Sequence, residues 1–192
     1  MLKDMDRLYG NPDNRNPITI DLLTKLINVL KFVCTSVYES TQNKSMFSSC
    51  IFAFLRIGEI TINTTSRYVI KRVDVYLPQT LLFVNVNIPF SKTDQEGLST
   101  TITITKHTQS NIFPVQLLSQ FLSVRHNDDE PLFCHFNKNS ITRYQFSRVL
   151  QFIGCNPNEY NTHSFLIQHT ISLEMPVPSQ GHYGFHSFPV VD

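Results

Sequence analysis

Three residues set far apart in this chain have side chains that could hold an anion: Arg56, Lys92 and His163. Arg56 stands in Phe52-Ala53-Phe54-Leu55-Arg56-Ile57-Gly58-Glu59-Ile60, read here as a lone cation at the end of an apolar helix. Apolar flanks immobilise a guanidinium, and its planar fork of donors suits phosphate. The competing reading is a structural ion pair with a carboxylate such as Glu59, a commoner use of such an arginine. Lys92 lies in the polar turn 91–97, where a solvated lysine is the ordinary expectation. His163 follows Thr162, which reads as a helix cap, so a plain hydrogen bond at a helix start is its alternative. His182 and His186 are four apart, but Gly184 and the nearby prolines oppose one helix presenting both, and no metal site or cofactor is expected. Arg143, Arg148 and Lys138, with Tyr144, form either a solvated face or a set of contacts to a DNA backbone.

The elements that must position these residues follow from periodicity and punctuation. Residues 1–18 carry Asn-Pro turn formers and read as an irregular lead-in. Thr19 then caps a helix with Asp21 in its first turn and an apolar face at Leu22, Leu23, Leu26, Ile27, Val29, Leu30 and Val33. Residues 41–45 read as a polar loop, and a core helix is expected from about 44 to 56. Alternation at 73–77, 81–88 and 101–105 predicts a three-stranded antiparallel meander with Lys92 near its second turn. Pro114 opens a helix over 115–124, and Ile141-Thr142 introduces another that ends at Gly154. A final helix is expected over 163–174, followed by a proline-broken tail at 175–192. The result is an α+β fold with one domain at 19–174.

Composition sets bounds on function. The chain has 192 residues, 41% hydrophobic and 16% charged, which is globular rather than disordered. A formal net charge of +1 requires any nucleic-acid surface to be local. Cys34, Cys50, Cys134 and Cys155 lack the C-x-x-C spacing and read as buried or half-buried free thiols. With no apolar run near the ~18 residues of a membrane span and no signal-peptide core, the expected place is intracellular, and nuclear in a eukaryote.

The order of helix, Arg56, sheet with a lysine turn, two helices and Thr162-His163-Ser164-Phe165 resembles the catalytic domain of the tyrosine recombinases, or phage integrases. The resemblance is strongest to forms carried by eukaryotic mobile elements and covers roughly residues 15–174. Asn16-Pro17-Ile18-Thr19, Phe54-Leu55-Arg56-Ile57-Gly58-Glu59-Ile60, Pro131-Leu132-Phe133 and Thr162-His163-Ser164-Phe165 carry it. It implies DNA recombination and integration without a metal. A tyrosine attacks a DNA phosphodiester, while two arginines and a histidine stabilise the developing charge and a lysine protonates the leaving oxygen. Arg56 matches the first arginine, Lys92 the lysine with Lys106 as competitor, His163 the first histidine and His182 the second His/Trp position. The motif places arginine three residues after His163, where this chain has Leu166, and no tyrosine follows Tyr183. The resemblance therefore implies a site that is degenerate or truncated at its C-terminal end. Duplex DNA, held by its phosphate backbone, is the implied partner, with a homo-oligomer on DNA. The alternatives are a non-catalytic DNA-binding module of the same fold and an unrelated α+β protein-interaction domain with an exposed apolar patch.

Overall fold

The computed structural model describes residues 15–62, 68–89, 99–105, 112–125 and 130–166. Thr19 starts α1, Ile20–Val33, by accepting the Leu22 amide on its hydroxyl at 3.2 Å. Asp21 and Lys31 sit at the helix ends that suit their charges. Leu23, Leu26 and Leu30 are buried, one stripe of the expected face, and Val29 lies at its exposed margin.

The second helix departs from expectation at both ends. It runs over Val37–Phe52 (α2), so residues 41–45 are helical rather than a loop. Ser36 caps it, its hydroxyl accepting the Glu39 amide at 3.1 Å. Glu39 Oε2 in turn accepts the Thr35 amide at 2.9 Å and hydroxyl at 2.8 Å. Gln42 and Asn43 are buried against partners instead of water, whereas the buried hydroxyls of Ser40, Ser45 and Ser48 have no hydrogen-bond partner among the described residues. Gln42 donates through Nε2 to the Cys134 carbonyl, and Asn43 Nδ2 donates to the Glu39 carbonyl at 3.0 Å. The Tyr38 hydroxyl reaches the same Cys134 carbonyl at 2.8 Å.

α2 stops short of Arg56 because Phe54 takes a φ of +52°, the left-handed region that a right-handed helix cannot continue through. Arg56 is therefore not the end of a long helix. It is the extended N-cap of a single helical turn, α3, Ile57–Ile60. Glu59 closes that turn by accepting the Arg56 amide on Oε2 at 2.8 Å. Burial of Glu59 pushes its carboxyl above the ordinary value of 4.5, against the opposing pull of the Arg56 amide and guanidinium.

The meander forms as read. β1 (Val75–Tyr76), β2 (Phe83–Ile88) and β3 (Thr100–Thr105) pair antiparallel in that order. Val84 faces Ile104 and Val86 faces Ile102, so one face is apolar. Asn85 and Asn87 face Thr103 and Thr101 on the other, and the Thr103 hydroxyl donates to Asn85 Oδ1 at 2.9 Å. β1 is shorter than expected because Arg72–Asp74 winds into a 3-10 turn, fixed where Asp74 Oδ2 accepts the Lys71 amide at 2.8 Å and the Tyr68 hydroxyl.

Pro114 opens α4, Pro114–Val124, which buries Leu118 and Phe121. Arg125 ends it as a buried cation that sequence reading passed over. Its Nε donates to the Leu132 carbonyl at 2.9 Å, and its Nη2 to those of Glu130 (3.0 Å) and Pro131 (2.8 Å). This segment in turn meets 70–72, with the Leu132 amide on the Ile70 carbonyl at 2.8 Å and the Arg72 amide on the Glu130 carbonyl at 3.2 Å. Burial first, and then the nearby Arg125 charge, hold the Arg72 guanidinium below its ordinary pKa.

Thr142 and Gln145 form a reciprocal cap for α5, Arg143–Phe152, and Gly154 follows with φ +95°, as a C′ glycine should. Phe146 and Leu150 are buried. Beyond α5, Asn161 rather than Thr162 caps the next turn: its Oδ1 accepts the His163 amide at 2.8 Å, and its own amide donates to Ser164 Oγ at 3.0 Å. Residues 164–166 are helical, and the rest of the expected 163–174 helix lies outside the described residues, as does the tail. Residues 15–18 have no regular structure and are anchored, the Asn16 amide on the Glu159 carbonyl (2.8 Å) and the Ile18 amide on the Ser164 carbonyl (3.0 Å). A continuous core reaches from Ile18 to Phe165. The four cysteines are free thiols, Cys34 half-buried and the others buried. Among the described residues no helix is long and apolar enough to cross a membrane.

Two stability measurements check this reading. Arg125→Met strands three carbonyls and should cost about 3 kcal/mol, since bonds to charged groups contribute ~1.5–3 kcal/mol each and do not add fully. A urea midpoint unchanged from wild type would contradict it. For Glu59, the folded state holds its proton more tightly than the unfolded chain, so ionisation costs stability as pH rises above 4.5. The stability of Glu59→Gln relative to wild type should therefore climb with pH from that point, and a pH-independent difference would refute the buried-carboxyl account.

Candidate nucleic-acid interface

The main chain of Arg56 is fixed by its cap bond to Glu59, and Leu55, Ile57 and Ile60 are buried around it. The ion pair with Glu59 is present but long, Nη1 to Oε1 3.9 Å, with the arginine side chain 38% exposed and the glutamate 13%. At that distance and exposure the attraction is worth little. The carboxylate serves the turn, while the guanidinium lies at the surface where an outside anion can reach it. The ion-pair reading and the phosphate reading of Arg56 are compatible in this geometry.

His163 is also at the surface, on a turn that the core grips from below. Phe165, two residues on, is buried against Phe47 of α2 (ring centroids 5.6 Å) and Phe146 of α5 (5.5 Å). The Ser164 hydroxyl is buried in the cap with Asn161. Leu166 is half-buried, its amide on the His163 carbonyl at 2.9 Å. No side-chain donor stands at that position.

Arg143, the first residue of α5, is brought to this turn. Its Nη2 donates to the buried Thr162 hydroxyl at 2.6 Å, one residue from His163. Arg15 reaches the same turn, Nη1 to Asn161 Oδ1 at 3.3 Å. Sequence reading missed Arg15. Its only signal was a cation beside Asn16-Pro17, in a segment taken as lead-in. The Arg56 segment joins from the other side: the Ile62 amide donates to the Ile141 carbonyl at 2.9 Å, and Ile62 bridges to Thr142, the cap of α5. One run of bonds thus leads from the turn after Arg56, through the start of α5, to the turn carrying His163.

The other expected residues stand apart or outside. Arg148 is exposed on α5 and donates to Gln151 Oε1 at 3.3 Å. Lys138 is exposed on a tight turn between Cys134 and Ser140, with φ +68° and its amide on the His135 carbonyl at 2.8 Å. Lys92, Lys106 and His182 lie outside the described residues. Among the described residues no group of three His, Cys, Asp or Glu side chains could hold a metal ion.

No protein-family model matches the chain, and no curated protein does. Solved structures do match. XerH site-specific recombinase, in a pre-cleavage complex with its difH substrate, is 14% identical with a TM-score of 0.56, over 84% of this chain and 44% of that one. XerA recombinase is 15% identical with a TM-score of 0.54, over 82% and 50%. Flpe in a Holliday-junction complex is 15% identical with a TM-score of 0.55, over 90% and 43%. The chain spans half or less of the length of each. At this identity the likeness is one of fold, and the fold, mixed helix with a three-stranded antiparallel sheet, is that of tyrosine-recombinase catalytic domains.

Proposed function

We propose that this chain is a tyrosine-recombinase-type domain, of the kind carried by eukaryotic mobile elements, that serves DNA recombination and integration by holding duplex DNA rather than cutting it. The observation that carries the reading is the fold likeness over 84% of the chain to a recombinase bound to its DNA substrate. The arrangement of Arg56 and His163 at the surface, joined through the start of α5, supports it. Phosphate contacts supply most of the affinity of such surfaces, and a chain of net charge +1 must concentrate its cations locally to make them. Arg56, Arg143 and His163 are the first candidates, with Arg148 and Lys138 as outlying backbone contacts. Lys92, or Lys106, and His182 complete the set that the motif order nominates. Catalytic incompleteness rests on Leu166: a hydrocarbon there removes one donor to the developing charge, a loss of the order of 3–4 kcal/mol by comparison with a single oxyanion-hole donor. The proposed setting is intracellular, nuclear in a eukaryote, with several copies meeting on DNA.

A mobility-shift series with a duplex, repeated on a nicked suicide substrate and resolved on a denaturing gel, tests both halves. Binding should appear at low salt, fade steeply as salt rises, and leave no covalent protein–DNA adduct. Arg56→Ala should weaken binding and flatten the salt dependence by about one unit of slope. An adduct would overturn the non-cleaving half, and absence of any shift at low salt would overturn the DNA reading itself.

A further inference from the structure

We propose that Arg143, fixed by Thr162 beside His163 and Arg15, forms a phosphate seat on the turn at residues 161–163. The inference rests on the DNA-binding reading and deepens it, because it assigns a phosphodiester of duplex DNA to side chains outside the His163-to-166 motif spacing. Thr162 is buried and carries its hydroxyl at a fixed place, and the 2.6 Å bond to Nη2 sets the orientation of the exposed guanidinium. An arginine held at one nitrogen keeps its other N–H donors for a ligand and has already lost much of the side-chain freedom that binding would otherwise cost. Among the described residues no carboxylate forms an ion pair with Arg143; the ion pair there is that of Arg56 with Glu59. The same turn collects two further cationic or donor side chains. Arg15 arrives through Asn161 from the far end of the chain, and His163 projects at the surface from the residue after Thr162. The turn itself is rigid, tied by Asn161 to His163 and Ser164, and anchored by Phe165 in the core. Convergence of arginines on one braced turn is the arrangement that recognises a phosphate by two or more charge-assisted bonds. In this chain Arg143 would supply the guanidinium that position 166 does not.

The test is fluorescence anisotropy of the full chain with a labelled duplex across a salt series, for wild type, Arg143→Gln, Arg143→Lys and Arg15→Gln, with circular dichroism of each. Arg143→Gln should lower affinity and reduce the slope of log affinity against log salt by about one, and Arg143→Lys should restore the slope. A purely structural bond to Thr162 would lower melting temperature and leave the slope alone. If Arg143→Gln does not fold, Arg15→Gln carries the test, with the same expected loss of slope. Wild-type binding with slopes unchanged in Arg143→Gln or, failing its folding, in Arg15→Gln overturns the phosphate seat and leaves the DNA-binding reading standing. No binding by wild type overturns both.

Discussion

Three phenylalanine rings hold the architecture together. Phe47 from α2, Phe146 from α5 and Phe165 from the turn after His163 meet in pairs at 5.1, 5.6 and 5.5 Å. All three are buried. Each fully buried ring contributes roughly 1.5–3 kcal/mol from area alone, and paired rings add about 0.5–1.5 kcal/mol. Without Phe165 in this cluster, the turn that carries His163 would have no reason to lie against α5, and Arg143 would have no Thr162 to bond. The surface chemistry is thus set by an apolar contact beneath it, a relation in which packing selects geometry and geometry selects what charge can do.

A second constraint is backbone conformation at Phe54. A phenylalanine at positive φ costs free energy that α2 could have avoided by continuing. What the break achieves is a change of direction: the chain leaves the core helix, exposes Arg56 and begins a new turn whose cap is Glu59. The charge of Glu59 is spent on a backbone amide at 2.8 Å, and only weakly on the guanidinium at 3.9 Å. That division leaves the part-exposed guanidinium only weakly tied to Glu59.

Local signals in the sequence were legible where one residue decides the outcome. Thr19 and Thr142 act through hydroxyls on amides three residues ahead, Pro114 and Gly154 through their own backbone, and the helices they bound fall where expected. The alternation of Val84, Val86 and Ile88 with Asn85 and Asn87 likewise marked the meander, whose register the structure supplies. Polar residues misled where their partners are remote. Gln42 reads as loop because its acceptor, the Cys134 carbonyl, is 92 residues away. Asn161 is the stronger cap by type and takes that role, while the Thr162 hydroxyl accepts from Arg143. The same holds for the candidate interface. Residue types and order at Arg56, His163 and Leu166 could be read directly, and Arg143 was a candidate by type, whereas the bonds of Arg143 and Arg15 to the 161–163 turn depend on contacts that no spacing encodes.

The bond from Arg15 to Asn161 closes a span of 146 residues, and the Ile18 amide closes the same span on Ser164. Loops of that size are entropically costly to shut and close only when the intervening chain is already compact. The 161–163 turn is in this sense a seam between the two ends of the folded body. Opening it locally would release residues 15–18 and the His163 turn together. A ligand that bridges Arg15 and Arg143 would therefore act as a clasp, raising the resistance of the whole chain to unfolding and slowing amide exchange well away from where it binds.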